Sequence, residues 1–236
     1  MTNKISVTTN IGEIVSLLPK ASEIFKQYGI DFCCGGNRPL AEAIKEQKLN
    51  ETEIMEKLNR NYEESKTKAE ENKDFRNMFY DSLIDHIVDT HHTYMKKELP
   101  QISELVTKIL RVHGLHHGDV LMRVHKLFHS LKTELEQHLF KEEEILFPLI
   151  KEYRKNPSGE LLNRVMQVMQ ETEDEHEGAG DILKELRKIT GDYTVPADGC
   201  TTYRLTFRKL EEMESDLFQH IHLENNILFV RLEAER

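Results

Sequence analysis

The sequence predicts an all-α protein, an up-down four-helix bundle preceded by a small helical domain. From about Phe75 onward, apolar residues recur at alternating three- and four-residue steps over long stretches, the period of a buried helical seam. Those stretches are broken at HGLHHG (His113 to Gly118), RKNPSG (Arg154 to Gly159) and TGDYTVPADG (Thr190 to Gly199), which carry the Gly, Pro, Asn and Asp that punctuate helices. Connections this short force neighbouring helices to run antiparallel.

The chain has 236 residues, room for one large domain or a large and a small one. Asp and Glu outnumber Lys and Arg by 42 to 32, a net charge of −10. That charge argues against nucleic acid or an anionic membrane as the main partner. The first residues, MTNKISVTTN, contain no apolar core of a signal peptide, and no run approaches the ~18 apolar residues of a membrane span. A soluble, cytoplasmic protein is the expectation. Of the three cysteines, Cys33 and Cys34 are adjacent, about 3.8 Å apart at Cα, too close for an unstrained bridge. Cys200 stands alone. This pattern fits a reducing compartment with thiols that are free, reactive or metal-binding.

Residues 1–65 read as short helices with polar breaks. PKASEIFKQYGI, Pro19 to Ile30, has proline near a helix start and glycine near its end. In DFCCGGNRPL, Asp31 to Leu40, two glycines after two cysteines allow a tight turn expected to expose the thiols, and Pro39 is placed to open the next helix. That helix runs toward Lys48, and another covers Glu51 to Ser65. Residues 66–76, charged and poor in apolar side chains, form a linker. The bundle then occupies 77–236, as four helices of roughly 30 residues, each about 45 Å long. Pro100 lies inside the first and is able to kink it.

Reading the seam tests the bundle. The second helix gives Leu121, Val124, Phe128, Leu131, Leu135, His138, Glu142, Ile145 and Leu149; the fourth gives Thr206, Leu210, Met213, Leu217, His220, Glu224 and Ile227. Both interrupt an apolar stripe with His and Glu four residues apart, and the surroundings repeat: HLFKEEEILFPL from His138, HIHLENNILFVR from His220. The third helix (Leu162, Val165, Met169, Thr172, His176, Ala179, Leu183, Leu186) places His176 on the same stripe, and the first (His92, Met95, Leu99, Ile102, Val106, Ile109, His113) places His92 there, with His113 at its far end.

Burying a carboxylate without a counter-charge costs several kcal/mol, on the order of the penalty for any unpaired ion, and these stripes contain no cation. A metal neutralises Glu142 and Glu224 directly. Imidazoles and carboxylates are ordinary ligands for iron, and a spacing of four puts both side chains of a pair on one helix face. Four histidines and two carboxylates suit two metals, with the carboxylates able to bridge and positions open for an oxo or hydroxo bridge or a small ligand. The competing readings are a hydrogen-bonded core network, or a single zinc, for which six ligands are too many. His125 and His129 flank the seam and read as surface residues, His86, His91 and His222 fall off its phase, and His113, His116 and His117 cluster at a helix end. Glu175 reads as a solvated face or an acid behind a ligand.

HxxxE followed by ILF in helices two and four resembles the haemerythrin-like, HHE cation-binding bundle. DFCCGG, LIDHIVDTHH, EDEHEGAGDIL and CTTYR before HIHLENNILF narrow the resemblance to the di-iron iron–sulfur cluster repair proteins of the ScdA and YtfE type, over almost the whole chain. The resemblance implies two iron ions in a non-haem, oxo-bridged centre, held by His92, His138, His176 and His220 with Glu142 and Glu224 bridging. Of the adjacent pair, it favours His92; the family has an aromatic where this chain has His91. The implied function is repair of clusters damaged by nitric oxide or peroxide, by iron donation to iron–sulfur client proteins. The alternatives are a di-iron nitric oxide or peroxide reductase, an enzyme, and an O2- or NO-binding sensor like the haemerythrins, which use five histidines. Cys33 and Cys34 are the candidate functional thiols, passing iron or a nitrosyl group, against a role in docking or homodimerisation; they favour repair. Cys200 reads as a structural cap. Manganese or a mixed-metal centre stays open.

Overall fold

The computed structural model describes residues 5–67 and 74–236. Of the expected linker, residues 68–73 lie outside the described residues. The described residues are helical apart from turns, loops and one isolated bridge, Asn10 to Pro39. No helix among them is long and apolar enough to cross a membrane. Two compact units emerge: the chain up to Phe79 together with Ile221–Arg236, and Tyr80–His220.

In the first unit, α1 (Ile11–Leu17), α2 (Ala21–Gln27), α3 (Leu40–Glu46) and α4 (Glu51–Thr67) follow one another. Gly29, at φ +64°, ends α2 by letting the Ile30 N–H turn back to the Phe25 carbonyl at 2.8 Å, the left-handed stop that glycine favours. Pro39 is the N-cap of α3. Ile11, Phe25, Phe32, Leu40, Ile54 and Leu58 are fully buried, each contributing about 1.5–3 kcal/mol of hydrophobic stabilisation. The thiols depart from expectation. Cys33 is 3% exposed and Cys34 half-buried, because the turn folds inward around Asp31: its Oδ1 accepts from the backbone N–H of Cys33, Cys34 and Gly35, each at 3.1 Å.

In the second unit, α5 (Tyr80–Ile87) passes through a π turn (Val88–His92) into α6 (Thr93–Lys141), which passes through a second (Glu142–Leu146) into α7 (Phe147–Lys155). Then come α8 (Gly159–Ile189) and α9 (Thr201–Leu223). The expected break at HGLHHG shrinks to one non-helical residue inside α6, His117 (φ −125°, ψ 19°). The arms fold back antiparallel about it, as Thr107–His125 (3.3 Å) and Ser103–His129 (3.0 Å) show. Pro100 sits on the exposed side of α6 without interrupting it. Helix α8 begins at Ser158, whose Oγ accepts from Leu161 N–H at 3.2 Å.

The seam is buried on all four bundle helices except at His113, which is half-buried at the end of its stripe, and at Ile145, which is 45% exposed while Leu146 is fully buried. A π turn inserts one residue into the helix, rotating the segment beyond it by roughly 100°; the heptad phase therefore fails at Ile145 and Leu146 takes the inner place. Two other buried carboxylates are neutralised by cations: Glu98 by Lys209, and Glu214 by Arg187, whose Nε is 3.1 Å from both carboxylate oxygens. In the part of the first unit that follows His220, a third π turn, Glu224–Leu228, leads into α10 (Phe229–Glu233).

Candidate metal centre

Three of the six expected ligands occupy π turns. His92 closes Val88–His92, Glu142 opens Glu142–Leu146 and Glu224 opens Glu224–Leu228. His138 and His220 lie one turn before the two glutamates, and His176 is in the middle of α8. All six are buried.

Glu142 is the hub. Its Oε2 lies 3.3 Å from His92 Nε2 and 3.6 Å from His220 Nε2, while its Oε1 lies 3.3 Å from His138 Nε2 and 3.9 Å from His176 Nε2. Within the Tyr80–His220 unit, His92, Glu142 and His220 form one group and His138, Glu142 and His176 another, the ligand atoms of each lying within 4.8 Å of one another and Glu142 belonging to both. Donors about 2.1 Å from a common ion stand roughly 3.0–3.5 Å apart at ordinary coordination angles, so the closer spacings are those of ligand edges.

The outer nitrogens are held by carboxylates. His92 Nδ1 donates to Glu143 at 2.7 Å and His138 Nδ1 to Glu175 at 2.8 Å; Lys96 and Lys141 brace those two acids. A carboxylate only accepts, so Nδ1 carries the hydrogen and Nε2 turns a lone pair inward. Glu143 and Glu175 both titrate below the usual range: partial burial works against this, and the Lys and His partners outweigh it. At Glu142 burial alone pushes the carboxyl up, and it is positive charge, on the imidazoles of His138, His220 and His92 or on a cation among them, that holds it well below the usual range.

The residues fit a bound metal. His92 Nε2 and both oxygens of Glu142 are buried and accept or donate no hydrogen bond among the described residues, in a chain that supplies Glu98 and Glu214 with cations. Buried polar atoms are rarely left so. Imidazole and carboxylate donors suit iron, and the set lacks the thiolates that favour softer ions.

Several side chains set aside by the sequence reading have partners here. His91 is buried, its Nδ1 3.0 Å from Asp216 and its ring stacked on His220 at 5.8 Å between centroids. His222 is buried against Phe32, and burial pushes its imidazole down to about 4. His125 and His129 are half-buried rather than surface residues: His129 Nδ1 donates to the His125 carbonyl, leaving Nε2 for the Ser103 hydroxyl. Glu175 backs the ring of His138, and not that of its neighbour His176. Glu143 and Asp216 gave no sequence signal, since their partners lie on other helices.

The two thiols with Asp31 form a third group of possible ligands. Cys33 Sγ is 3.8 Å from Cys34 Sγ and 3.3 Å from Asp31 Oδ1. The hydrogen bond to Cys34, then burial, hold the Cys33 thiol well above its ordinary range. Exposed Cys200 behaves oppositely. Its carbonyl accepts the Arg204 N–H at the start of α9, and its Sγ lies 3.2 Å from His113 Nε2, a contact that brings the thiol down to about 7.

A helical bundle with histidines and glutamates gathered on its seam defines a haemerythrin-like cation-binding protein. In agreement, the Hemerythrin HHE cation binding domain matches residues 83–232, and ScdA_N, described as a domain of unknown function (DUF542), matches residues 7–62. The chain is 36% identical to a probable iron–sulfur cluster repair protein of Haemophilus influenzae, over 96% of this chain and 97% of that one. It is 33% identical to the iron–sulfur cluster repair protein ScdA of Staphylococcus haemolyticus (93% and 95% covered) and 34% identical to YtfE of Escherichia coli O81 (95% and 96%). The chain belongs to the family of iron–sulfur cluster repair proteins.

Proposed function

We propose that this protein is a non-haem di-iron repair factor that restores iron–sulfur clusters of client proteins after nitrosative or oxidative damage, acting in the cytoplasm. His92 and His220 hold one iron, His138 and His176 the other, and Glu142 and Glu224 are shared. The observation that carries this reading is Glu142, each of whose oxygens faces its own pair of histidines. When bound, the iron pair supplies redox chemistry and is itself the cargo for a damaged cluster. The chain's part is to hold that cargo reversibly: two imidazoles per ion with shared carboxylates grip iron less permanently than a thiolate cage. The small N-terminal domain presents Cys33 and Cys34, and the bundle holds the iron. The thiols receive or pass iron; being buried or half-buried, they act only when their turn opens.

Metal content and the optical spectrum of aerobically purified protein, followed by iron transfer to an apo-cluster protein, test the reading. About two irons per chain and transfer to the acceptor are expected. A Cys33→Ser, Cys34→Ser variant keeps its iron and its nitric oxide binding while transfer falls. Loss of nitric oxide binding in step with transfer sinks the donor reading, and one tightly held zinc sinks the di-iron centre.

A further inference from the structure

The repeated motif differs between its copies at one informative place. Glu144 in the first copy is exposed; its counterpart in the second, Asn226, is half-buried and belongs to the first unit, where it meets the cysteine turn. Asn226 Nδ2 donates to the Cys33 carbonyl at 2.9 Å and to the Phe32 carbonyl at 3.3 Å. Room for this amide is built in. A Cβ on Gly12 or Gly36 would collide with the Asn226 side chain, and these glycines are stapled by Gly12 N–H to the Gly36 carbonyl at 2.8 Å. One turn earlier His222 packs its ring edge-on to Phe32, 6.1 Å between centroids. The cysteine turn is therefore held from within by Asp31 and from outside by Asn226.

Asn226 lies two residues beyond Glu224, in the same five-residue π turn. Any adjustment of that turn when Glu224 gains or loses a metal shifts the amide that holds the carbonyls of Phe32 and Cys33. We propose that Asn226 is a positioning residue coupling metal occupancy at Glu224 to the reactivity of the vicinal thiols. This rests on the reading of Glu224 as a metal ligand. Coupling of this kind is reciprocal: whatever factor metal imposes on opening of the turn, opening imposes on metal retention.

The test is the alkylation rate of Cys33 and Cys34, resolved by peptide mass, in metal-free and iron-loaded protein. Loading changes the wild-type rate at least about five-fold, the lower range of ordinary coupling. Asn226→Asp, which is isosteric but lacks the N–H donors, retains two irons and loses this dependence. Gly12→Ala, Asn226→Ala, which puts a methyl where the amide was, does the same and guards against a simple packing defect. A metal-dependent rate that survives in both variants overturns the proposal, as does a wild-type rate indifferent to two bound irons. A wild-type chain that binds no iron overturns the metal reading and this inference together.

Discussion

The Tyr80–His220 unit carries histidine clusters at two places about 30 Å apart along α6, and they behave differently. Around His92, imidazoles are buried, the Nδ1 atoms of His92 and His138 are tied outward to Glu143 and Glu175, and the Nε2 atoms converge on Glu142. Around His113, the same kinds of side chain pair off singly: His117 Nε2 sits 2.9 Å from Asp198 Oδ1, and His113 Nε2 3.2 Å from Cys200 Sγ, with Asp198 and Cys200 exposed. Composition is alike; burial and convergence are not. A histidine cluster becomes a metal centre where water is excluded and several lone pairs share one point, and it stays a set of surface pairs where each ring satisfies itself locally.

The largest effect comes from removing the convergence point. Glu142→Leu, Glu224→Leu lowers iron from about two per chain to none by elemental analysis, and the metal-free variant melts no lower than the metal-free wild type, since replacing buried charges by apolar groups is neutral or stabilising by about 1–4 kcal/mol. Retained iron in this variant means that the comparison misplaces the centre. Next, Glu143→Gln weakens iron retention roughly 10- to 100-fold in a chelator competition, the usual consequence of loosening a ligand's outer partner, whereas Asp198→Asn leaves it unchanged. Equal losses from the two variants dissolve the distinction.

At the exposed cluster the readout is the thiol. Cys200 has its pKa lowered to about 7, chiefly by His113, so the thiolate predominates above that pH and alkylation reaches half its maximum rate near it. His113→Gln moves the midpoint up toward the ordinary value of about 8.5, without touching metal content. The smallest effect lies between the clusters. Ser103→Ala removes the hydroxyl that meets His129 and costs about 0.5–1.5 kcal/mol by chemical denaturation, with iron unchanged.

Much of the candidate centre was legible because a His and a Glu four residues apart on a helix need only the helix to meet, and because His and Glu on an apolar stripe violate its pattern. Glu143 and Asp216 were not legible: one adjoins Glu142 and the other lies near His220 in the chain, but each acts on a histidine from another helix. The π turns were equally silent, since no residue type marks a five-residue hydrogen-bond ring, and they displaced Ile145 from its expected inner place. The cysteine turn was misread as exposed because glycines announce a turn and not the direction in which it closes.

By itself the sequence determined the helices, their breaks, the apolar seam and the six side chains that interrupt it, because these follow from periodicity and from the cost of burying charge. Packing between remote segments adds which acids fix the rings of His92 and His138, how deeply the thiols lie and where Asn226 reaches. Those depend on the rotation and approach of segments remote in the chain, which a repeat of three and four residues leaves open.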